Sequence, residues 1–391
     1  MAEPGAAIAS GGPRRAVLIL LVVGAVAGGV GLGALLASGW STPPLIAQAS
    51  PSPLPTAIPL ATPSPSPTPE PTPVMVPAPL TGLPASPETV TWHPIAVMVD
   101  DQRAARPQSG FNAAAVVWHA PAEGGIPRYM LVFQDSLPSA VGPVRSARQY
   151  YIDWASEFEA VYVHVGGSPE AMATLRSSGR GQLVWNADEF RYGGSLLWRI
   201  TERAAPHNVY SDGDHLRQLV AAVGAADGPI LPAWRFGPAA AGDARPVGTT
   251  LTVTYPYESI AYRYDATTNT YRRYLDGSTD PQVDAADGRL VAPTNVVILR
   301  MRFGALNDGH PEKHRLEADD VGSGEAIIST NGRVVTGTWS KAGASSPTLL
   351  FGPDGTPITL TAGQTFVQVI ALSYPFEVVE GRLPRDEIGK R

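Results

Sequence analysis

The longest hydrophobic run of the chain lies near its N-terminus, where residues 16–40 contain no Asp, Glu, Lys or Arg. At about 1.5 Å of rise per residue, a helix of this length crosses the roughly 30 Å hydrocarbon core of a bilayer. Arg14 and Arg15 precede the run and the next charged residue is Glu70. The bias of positive charge toward the cytoplasm therefore predicts a single-pass membrane protein with a cytoplasmic N-terminus and extracytoplasmic C-terminal domains.

A cleaved signal peptide is the alternative interpretation, because Ala47-Gln48-Ala49 offers a small-residue cleavage site. The apolar run is longer than the roughly 7 to 15 residues of a signal core, and the site lies well beyond its end. We therefore predict an uncleaved anchor.

Proline recurs at almost every second or third position after the apolar run, most densely in residues 64–69. Such a segment has no face that it could bury, so it predicts a disordered linker of polyproline II character. At about 3.1 Å per residue it could hold a folded part on the order of 100 Å from the membrane.

Beyond the prolines, short apolar runs alternate with stretches of helical periodicity. The predicted strands are 95–99, 114–118, 129–133 and 161–165, and the predicted helices are 145–158, 169–178 and 214–223. Alternating strands and helices predict an α/β layer with a mixed sheet.

After the turn-rich segment 224–229 the pattern changes to alternation of polar and apolar positions, which is typical of antiparallel β-structure. The predicted strands are 251–255, 261–264, 270–275, 296–303 and 366–372. Asn331-Gly332 and Asp354-Gly355 each separate two apolar runs and favour the positive φ of hairpin turns.

The pattern as a whole predicts an α+β protein, with an N-terminal α/β domain followed by a mostly antiparallel β domain. The predicted divisions are a cytoplasmic segment 1–15, a transmembrane helix 16–40, a linker 41–84, an α/β domain 85–228, a β-rich domain 229–380 and a tail 381–391.

The composition of the chain excludes several kinds of functional site. There is no cysteine, which excludes disulfides, thiol catalysis, zinc–thiolate sites and a lipid-anchored cysteine. A net charge of −6 with scattered arginines argues against nucleic-acid binding. His310 and His314 flank Pro311, which breaks the helix that would aim both rings at one ion. We predict neither a metal nor a cofactor.

Arg145 and Arg148 are the first candidate ligand-binding residues, because they would lie on one face at the start of the predicted helix 145–158. Cations at a helix N-terminus are unfavourable unless an anion or a carboxylate compensates them. A bound phosphate or carboxylate is therefore one hypothesis for this pair, and internal pairing with Glu123, Asp153 or Glu157 is the other.

A second candidate is the segment from His164 through Gly166 and Gly167 to Ser168, which joins a predicted strand to a helix with Ser168 as its N-cap. The backbone of such a turn can hold an anion, although the same arrangement starts many ordinary helices.

Further candidates lie in loops and at strand ends. His207 and Asn208 follow a proline and could supply a base or a ligand, although a lone loop histidine more often bonds its neighbours. Asp100, followed by Asp101, ends the first predicted strand, where α/β sheets place ligands. Glu123 is a carboxylate at a glycine turn.

Several short motifs occur in a recognisable order over residues 79–375. They are Pro79-Leu-Thr-Gly-Leu83, Val97-Met-Val-Asp100, Arg106-Pro-Gln-Ser-Gly110, Pro121-Ala-Glu-Gly-Gly125, residues 142–148, His164–Ser168, Ala205-Pro-His-Asn208, Gly337-Thr-Trp-Ser-Lys341 and residues 360–366. Together they resemble the YerB-like lipoprotein family of bacteria, which is described as a two-part domain of unknown function. The resemblance implies the two-domain architecture but no activity, and the missing lipobox cysteine favours the uncleaved helix.

Two functions remain open at this level. The first is a cell-envelope protein that binds an anionic ligand, a cell-wall polymer or an envelope protein through the candidates above. The second is an enzyme acting on an anionic cell-wall substrate, with the arginines holding the anion and a histidine or carboxylate as acid or base. No residue pattern identifies a nucleophile.

Overall fold

A computed structural model describes residues 74–176, 183–231 and 233–383. The predicted transmembrane helix, most of the linker and most of the tail lie outside these residues. Within the described ranges, no helix is both long enough and apolar enough to cross a bilayer.

A ten-stranded mixed sheet organises the fold. In spatial order its strands are β19 (Leu349–Phe351), β18 (Arg333–Lys341), β17 (Gly322–Thr330), β14 (Asn295–Met301), β21 (Thr365–Ala371), β4 (Val116–Glu123), β5 (Ile126–Phe133), β3 (Ile95–Asp100), β6 (Val161–His164) and β7 (Trp185–Asp188). The central strands are apolar at nearly every position because both faces of the sheet are covered. In β3, for example, Val97 and Val99 face one core and Met98 faces the other.

The large sheet continues across the predicted boundary near residue 228. β21 pairs in parallel with β4, and Thr365 lies opposite Val116. β21 also pairs in parallel with β14, so the C-terminal half is not purely antiparallel. The two halves of the chain therefore share one sheet.

A second sheet of four antiparallel strands packs over one face of the large sheet. In spatial order it contains β13 (Thr270–Leu275), β12 (Ser259–Asp265), β11 (Thr250–Thr254) and β22 (Phe376–Val379). The remaining strands form short pairs: β1 (Val76–Pro77) with β2 (Pro84–Ala85), β8 (Trp198–Arg199) with β9 (Val209–Tyr210), β10 (Arg235–Gly237) with β20 (Thr359–Thr361), and β15 (Phe303–Ala305) with β16 (Leu316–Ala318). Strands thus greatly outnumber helices in the described part.

The α-helices within residues 74–176, 183–231 and 233–383 are short. They are α1 (Gln149–Ser156), α2 (Pro169–Leu175), α3 (Glu189–Tyr192) and α4 (Gly213–Val223). Single 3-10 turns occur at Thr89–Thr91, Arg103–Ala105, Phe111–Ala113, Gly242–Ala244 and Pro311–Lys313. The prediction of α4 is confirmed within one residue.

The predicted helix start at residue 145 is wrong, since α1 begins at Gln149. The preceding segment is extended: the N–H of Arg145 donates to the carbonyl of Met98 at 2.8 Å, and that of Ala147 donates to Gly166 at 2.9 Å. The carbonyls of Arg145 and Ala147 in turn accept from the amides of Val165 and Ser168. Because these carbonyls are bonded to another segment and Arg148 is extended, the helical hydrogen bonds start only after this stretch.

The two predicted hairpins have different outcomes. Asn331 and Gly332 both have positive φ and connect β17 directly to β18, as predicted. Asp354-Gly355 also forms a turn, but β20 leaves β19 and pairs in parallel with β10. Phe351 and Pro357 form an isolated antiparallel bridge across this turn, so the predicted hairpin is present beside the turn but does not extend into β20.

Candidate functional site

The end of β3 directs two adjacent carboxylates to different partners. Asp100 reaches His207 and Arg145, whereas Asp101 reaches His119 and Arg106. Successive side chains of an extended segment point to opposite sides, which separates the two groups.

Asp101 belongs to a buried polar cluster between the two sheets. His119 from β4 places Nε2 2.8 Å from Oδ2 of Asp101, and its Nδ1 lies 2.7 Å from the amide nitrogen of Gln368 in β21. With that amide donating to Nδ1, the ring proton is on Nε2 and is donated to Asp101. Burial, reinforced by the charge of Arg273, lowers the pKa of His119 to about 4, so the ring is neutral at pH 7.

Arg106 connects Asp101 to a second buried carboxyl group, Glu258. Its Nη2 lies 3.0 Å from Oδ1 of Asp101 and also contacts Oε2 of Glu258, while Nη1 lies 3.3 Å from Asp276. The other oxygen of Glu258, Oε1, has no hydrogen-bond partner within the described ranges and lies 3.7 Å from Nε2 of His119.

The two carboxyl groups have opposite pKa shifts. Burial and the adjacent charge of Asp101 raise the pKa of Glu258 to about 9, so Glu258 is protonated at neutral pH. Burial alone would also raise the pKa of Asp101. The hydrogen bond from His119 and the charges of Arg106 and Arg273 outweigh burial and hold the pKa of Asp101 well below its ordinary value. Glu258 is therefore a hydrogen-bond donor, whereas Asp101 is an anion.

Arg273 adds a fully buried cation. Its guanidinium donates to the hydroxyl of Tyr262 at 3.2 Å and to Oε1 of Gln282. It also faces the rings of Tyr129 and Tyr262, at 5.3 and 5.8 Å from their centroids. Its Nη2 has no hydrogen-bond partner among the described residues. This cation lowers the tendency of nearby carboxyl groups to hold protons.

A cavity of about 430 Å³ opens onto this cluster. Asp101, Arg106 and Glu258 line it together with Gln102, Arg103, Ala104, Ile126, Pro127 and Tyr257. Arg103 is 75% exposed and pairs with Asp276 at 3.3 Å. The polar cluster is thus buried on its inner side and reachable from this cavity.

The same cluster offers a possible set of metal ligands. Donor atoms of Asp101, His119 and Glu258 all lie within 4.8 Å of one another. A cation there would have to displace the His119 proton and the Glu258 proton, and it would lie beside the guanidiniums of Arg106 and Arg273. These positive charges disfavour a metal ion at this position.

Three of the residues predicted from sequence meet at Asp100. His207 Nδ1 lies 2.7 Å from Oδ2 of Asp100, and Nε of Arg145 lies 3.1 Å from the same oxygen. Asn208 is turned away: it accepts from Arg199 and donates to the carbonyl of Ile200.

The other predicted residues form separate clusters. Arg148 is buried and pairs with Glu123, which also pairs with Arg128 at 2.6 Å. Arg145 and Arg148 therefore engage different carboxylates instead of facing one ligand from a helix. The internal pairing with Glu123 that the sequence left open is present.

Both ring nitrogens of His164 face oxygen atoms of neighbouring residues. Its Nδ1 lies 2.8 Å from the carbonyl of Gly166, and its Nε2 lies 2.8 Å from Oδ1 of Asn186. Ser168 caps the seven-residue helix α2 by accepting from the amide of Ala171. Within 164–168, Gly167 pairs with Ala147 through an isolated bridge.

Sequence reasoning missed His119, Arg106, Glu258 and Arg273. The available signal was weak: His119 is a single polar residue that extends an apolar strand, and Arg273 lies between tyrosines of β13. The four residues are separated in the sequence and share no local motif, and only the fold brings them together.

Comparisons with known proteins agree on one family. Residues 80–226 match the family model described as the N-terminal domain of a protein of unknown function (DUF3048), and residues 251–367 match the model of its C-terminal domain. A Bacillus subtilis (strain 168) protein with the name "Putative lipoprotein YerB" is 30% identical over 304 residues, which cover 75% of this chain and 86% of that protein.

The crystal structure of YerB protein from Bacillus subtilis is similar to this fold. Its TM-score is 0.67 at 27% sequence identity, with 77% of this chain and 99% of that chain covered. The resemblance noted in the sequence motifs is thereby confirmed, and the chain belongs to the YerB-like family with its two-part DUF3048 architecture.

Proposed function

We propose that this chain is a membrane-anchored, extracytoplasmic protein of the cell envelope that binds an anionic envelope ligand in the cavity over Arg106. The charge-free run 16–40 behind Arg14 and Arg15 supports the anchor and its orientation. The lipoprotein name of the Bacillus subtilis relative supports attachment to a membrane on the outer side.

Glu258 carries the proposal for the ligand. It lines the cavity beside Arg106, its side chain is 97% buried, and Oε1 has no partner among the described residues. Buried polar groups are normally hydrogen-bonded, so an unmet one in a cavity indicates a missing partner. Because Glu258 is protonated at neutral pH, the group that it can best bind is an acceptor such as a carboxylate or phosphate oxygen.

The charges around the cavity favour the same ligand. Arg103, Arg106 and Arg273 are cationic, whereas only Asp101 and Asp276 offset them when Glu258 is protonated. The surroundings therefore hold one positive charge in excess. An anionic group beside Arg106 would neutralise it through charge-assisted hydrogen bonds.

An enzyme acting on an anionic cell-wall substrate is a second candidate, supported by the opposite pKa shifts of Asp101 and Glu258. Paired carboxyl groups whose environments drive their pKa values apart are a common arrangement for acid–base catalysis. In this reading Glu258 donates a proton to a leaving group while Asp101 stays ionised. Its neutral neighbour His119 would keep Asp101 oriented.

The ligand proposal can be tested with the full chain in lipid nanodiscs, incubated with muramidase-released cell-wall fragments. Retained fragments are identified by mass spectrometry for the wild type, Arg106→Gln and the control Arg302→Gln, an arginine that is 76% exposed and does not line the cavity. We expect Arg106→Gln alone to lose retention of carboxylate- or phosphate-bearing fragments by about tenfold, the effect of one charge-assisted hydrogen bond. Equal retention by all three proteins would contradict the proposal.

The same samples separate binding from catalysis. An enzyme converts the retained fragments to products of different mass, and Glu258→Gln should stop that conversion while fragments are still bound. Fragments recovered unchanged after long incubation with the wild type would leave binding as the function.

A further inference from the structure

Arg106 lies where two cavities meet. The first is the 430 Å³ cavity described above, and the second, of about 420 Å³, is lined by Arg106, Pro107, Gln108, Leu275, Ser278, Asp280, Pro281, Gln282 and Val283. A ligand group held by Arg106 can therefore continue in two directions. A compact anion would use only the position between them.

Each cavity is lined by a residue with a buried polar atom that has no partner among the described residues. In the first it is Oε1 of Glu258, and in the second it is Oε1 of Gln108. The amide of Gln108 cannot simply be reversed, because its nitrogen donates to the carbonyl of Asp100 at 3.0 Å and to Oδ1 of Asp101 at 2.8 Å. Gln108 therefore offers an acceptor to a ligand donor such as a hydroxyl group. Oε1 of Glu258 is a second unmatched oxygen, and burial and the charge of Asp101 raise the pKa of Glu258, which favours its donor form.

The first cavity also presents an aromatic surface. Tyr257 lines it and is 60% exposed, so its ring is accessible to a ligand in the cavity. The backbone carbonyl of Tyr257 accepts a hydrogen bond from Arg103 at 3.3 Å, so this exposed cation lines the same cavity. The apolar C–H face of a sugar ring could pack on this surface while an acidic substituent reaches the guanidiniums.

We propose that the ligand is an acidic carbohydrate chain of at least two sugar units, with its carboxylate or phosphate at Arg106, one sugar against Tyr257 and a hydroxyl of the next sugar donating to Gln108. The inference rests on the proposed function and specifies the chemical class of its anionic ligand. An acidic peptide is the competing occupant, since it offers carboxylates and N–H donors but no hydroxyl-rich ring for Tyr257.

The test uses oligogalacturonides of one, two and three units as acidic probes, with galacto-oligosaccharides as neutral probes and diglutamate and triglutamate as peptide probes. Affinity is measured by isothermal titration calorimetry on the full chain in nanodiscs. Because the second unit adds a hydrogen bond in the second cavity, we expect digalacturonate and trigalacturonate to bind about tenfold more tightly than the monomer.

Two variants probe the second cavity separately, since Gln108 also contacts Asp101 and its loss could disturb folding. Gln108→Leu removes the acceptor, and Val283→Trp fills the cavity from a position that is 40% exposed. In both, the ratio of trimer to monomer affinity should fall to about one, whereas Arg302→Gln should keep the wild-type ratio. Tyr257→Ala should weaken every galacturonide.

The outcomes distinguish this inference from the proposed function. Three outcomes would overturn the carbohydrate-chain inference but leave an anion bound at Arg106. They are equal affinity for monogalacturonate and trigalacturonate, an unchanged trimer-to-monomer affinity ratio in Val283→Trp, and an affinity that rises with length for the glutamate peptides alone. Tight binding of neutral sugars, or galacturonate binding that survives Arg106→Gln, would overturn both. The absence of any galacturonide binding by folded protein would overturn the inference alone if wall fragments are still retained.

Discussion

Asp320→Asn is expected to remove one source of alkaline destabilisation. Asp320 lies between β16 and β17, is buried, and has no hydrogen-bond partner for Oδ2 in the described part of the chain. Burial, helped by the charge of Asp153 and opposed by Lys341, raises the pKa of Asp320 from 3.8 to about 7. The folded protein therefore holds this proton more tightly than the unfolded chain does.

The sign of the effect follows from that difference. Between about pH 4 and pH 7 the unfolded carboxyl group has lost its proton while the folded one keeps it, so folding is favoured at low pH and the advantage disappears as pH rises through the folded pKa. At about 1.4 kcal/mol per pKa unit, Asp320 alone should reduce the free energy of unfolding by roughly 3 kcal/mol between pH 5 and pH 8.

Urea unfolding followed by tryptophan fluorescence can measure this change on the full chain in detergent at pH 5, 6, 7 and 8. The loss between pH 5 and pH 8 should be smaller by roughly 3 kcal/mol in Asp320→Asn than in the wild type. Asp319→Asn is the matched control, because its side chain is 70% exposed and pairs only loosely with Arg302, at 3.5 Å. Parallel pH profiles for the wild type and Asp320→Asn would refute the assignment of the raised pKa.

Two further predictions concern packing and a buried ion pair. A Cβ at Gly337 would lie 1.9 Å from the carbonyl oxygen of Phe351, so Gly337→Ala should cost about 3 kcal/mol in urea unfolding, while Gly242→Ala, with open space around it, should stay within about 0.5 kcal/mol of the wild type. Similar midpoints for the two variants would contradict this packing argument. Lys341 is fully buried and lies 2.8 Å from Oε1 of Glu157, so Lys341→Met should cost about 3 kcal/mol or more by leaving a buried carboxylate unpaired. Adding Glu157→Gln should recover part of that loss, and a double variant no more stable than the single one would count against the pairing.

Local patterns predicted much of the fold because its central strands are continuous apolar runs. β3 begins where its apolar run begins, and β13 begins where the alternation of polar and apolar residues begins. Asn331-Gly332 forms the turn that its preference for positive φ favours. The start of α1 could not be predicted in this way, since the carbonyl of Arg145 accepts from the amide of Val165, a residue of another segment.

The candidate site was harder to predict for a related reason. Asp100, at the end of a recognisable strand, was found, and its contacts with Arg145 and His207 join three residues chosen separately. Glu258 and His119 were not found, because their significance comes from burial beside Arg106 and neither position has an unusual local pattern. Burial and charge balance are properties of the assembled fold.

The pairing of β4 with β21 has a consequence for the order of assembly. Residues that meet across these strands, such as His119 and Gln368, are 249 positions apart. Whether the chain leaves a ribosome or a translocon, β4 emerges long before its neighbour, and one edge of a strongly apolar strand stays open during that interval. The large sheet can therefore be completed only after β21 has emerged, and until then the free edge of β4 is a site where another chain could pair.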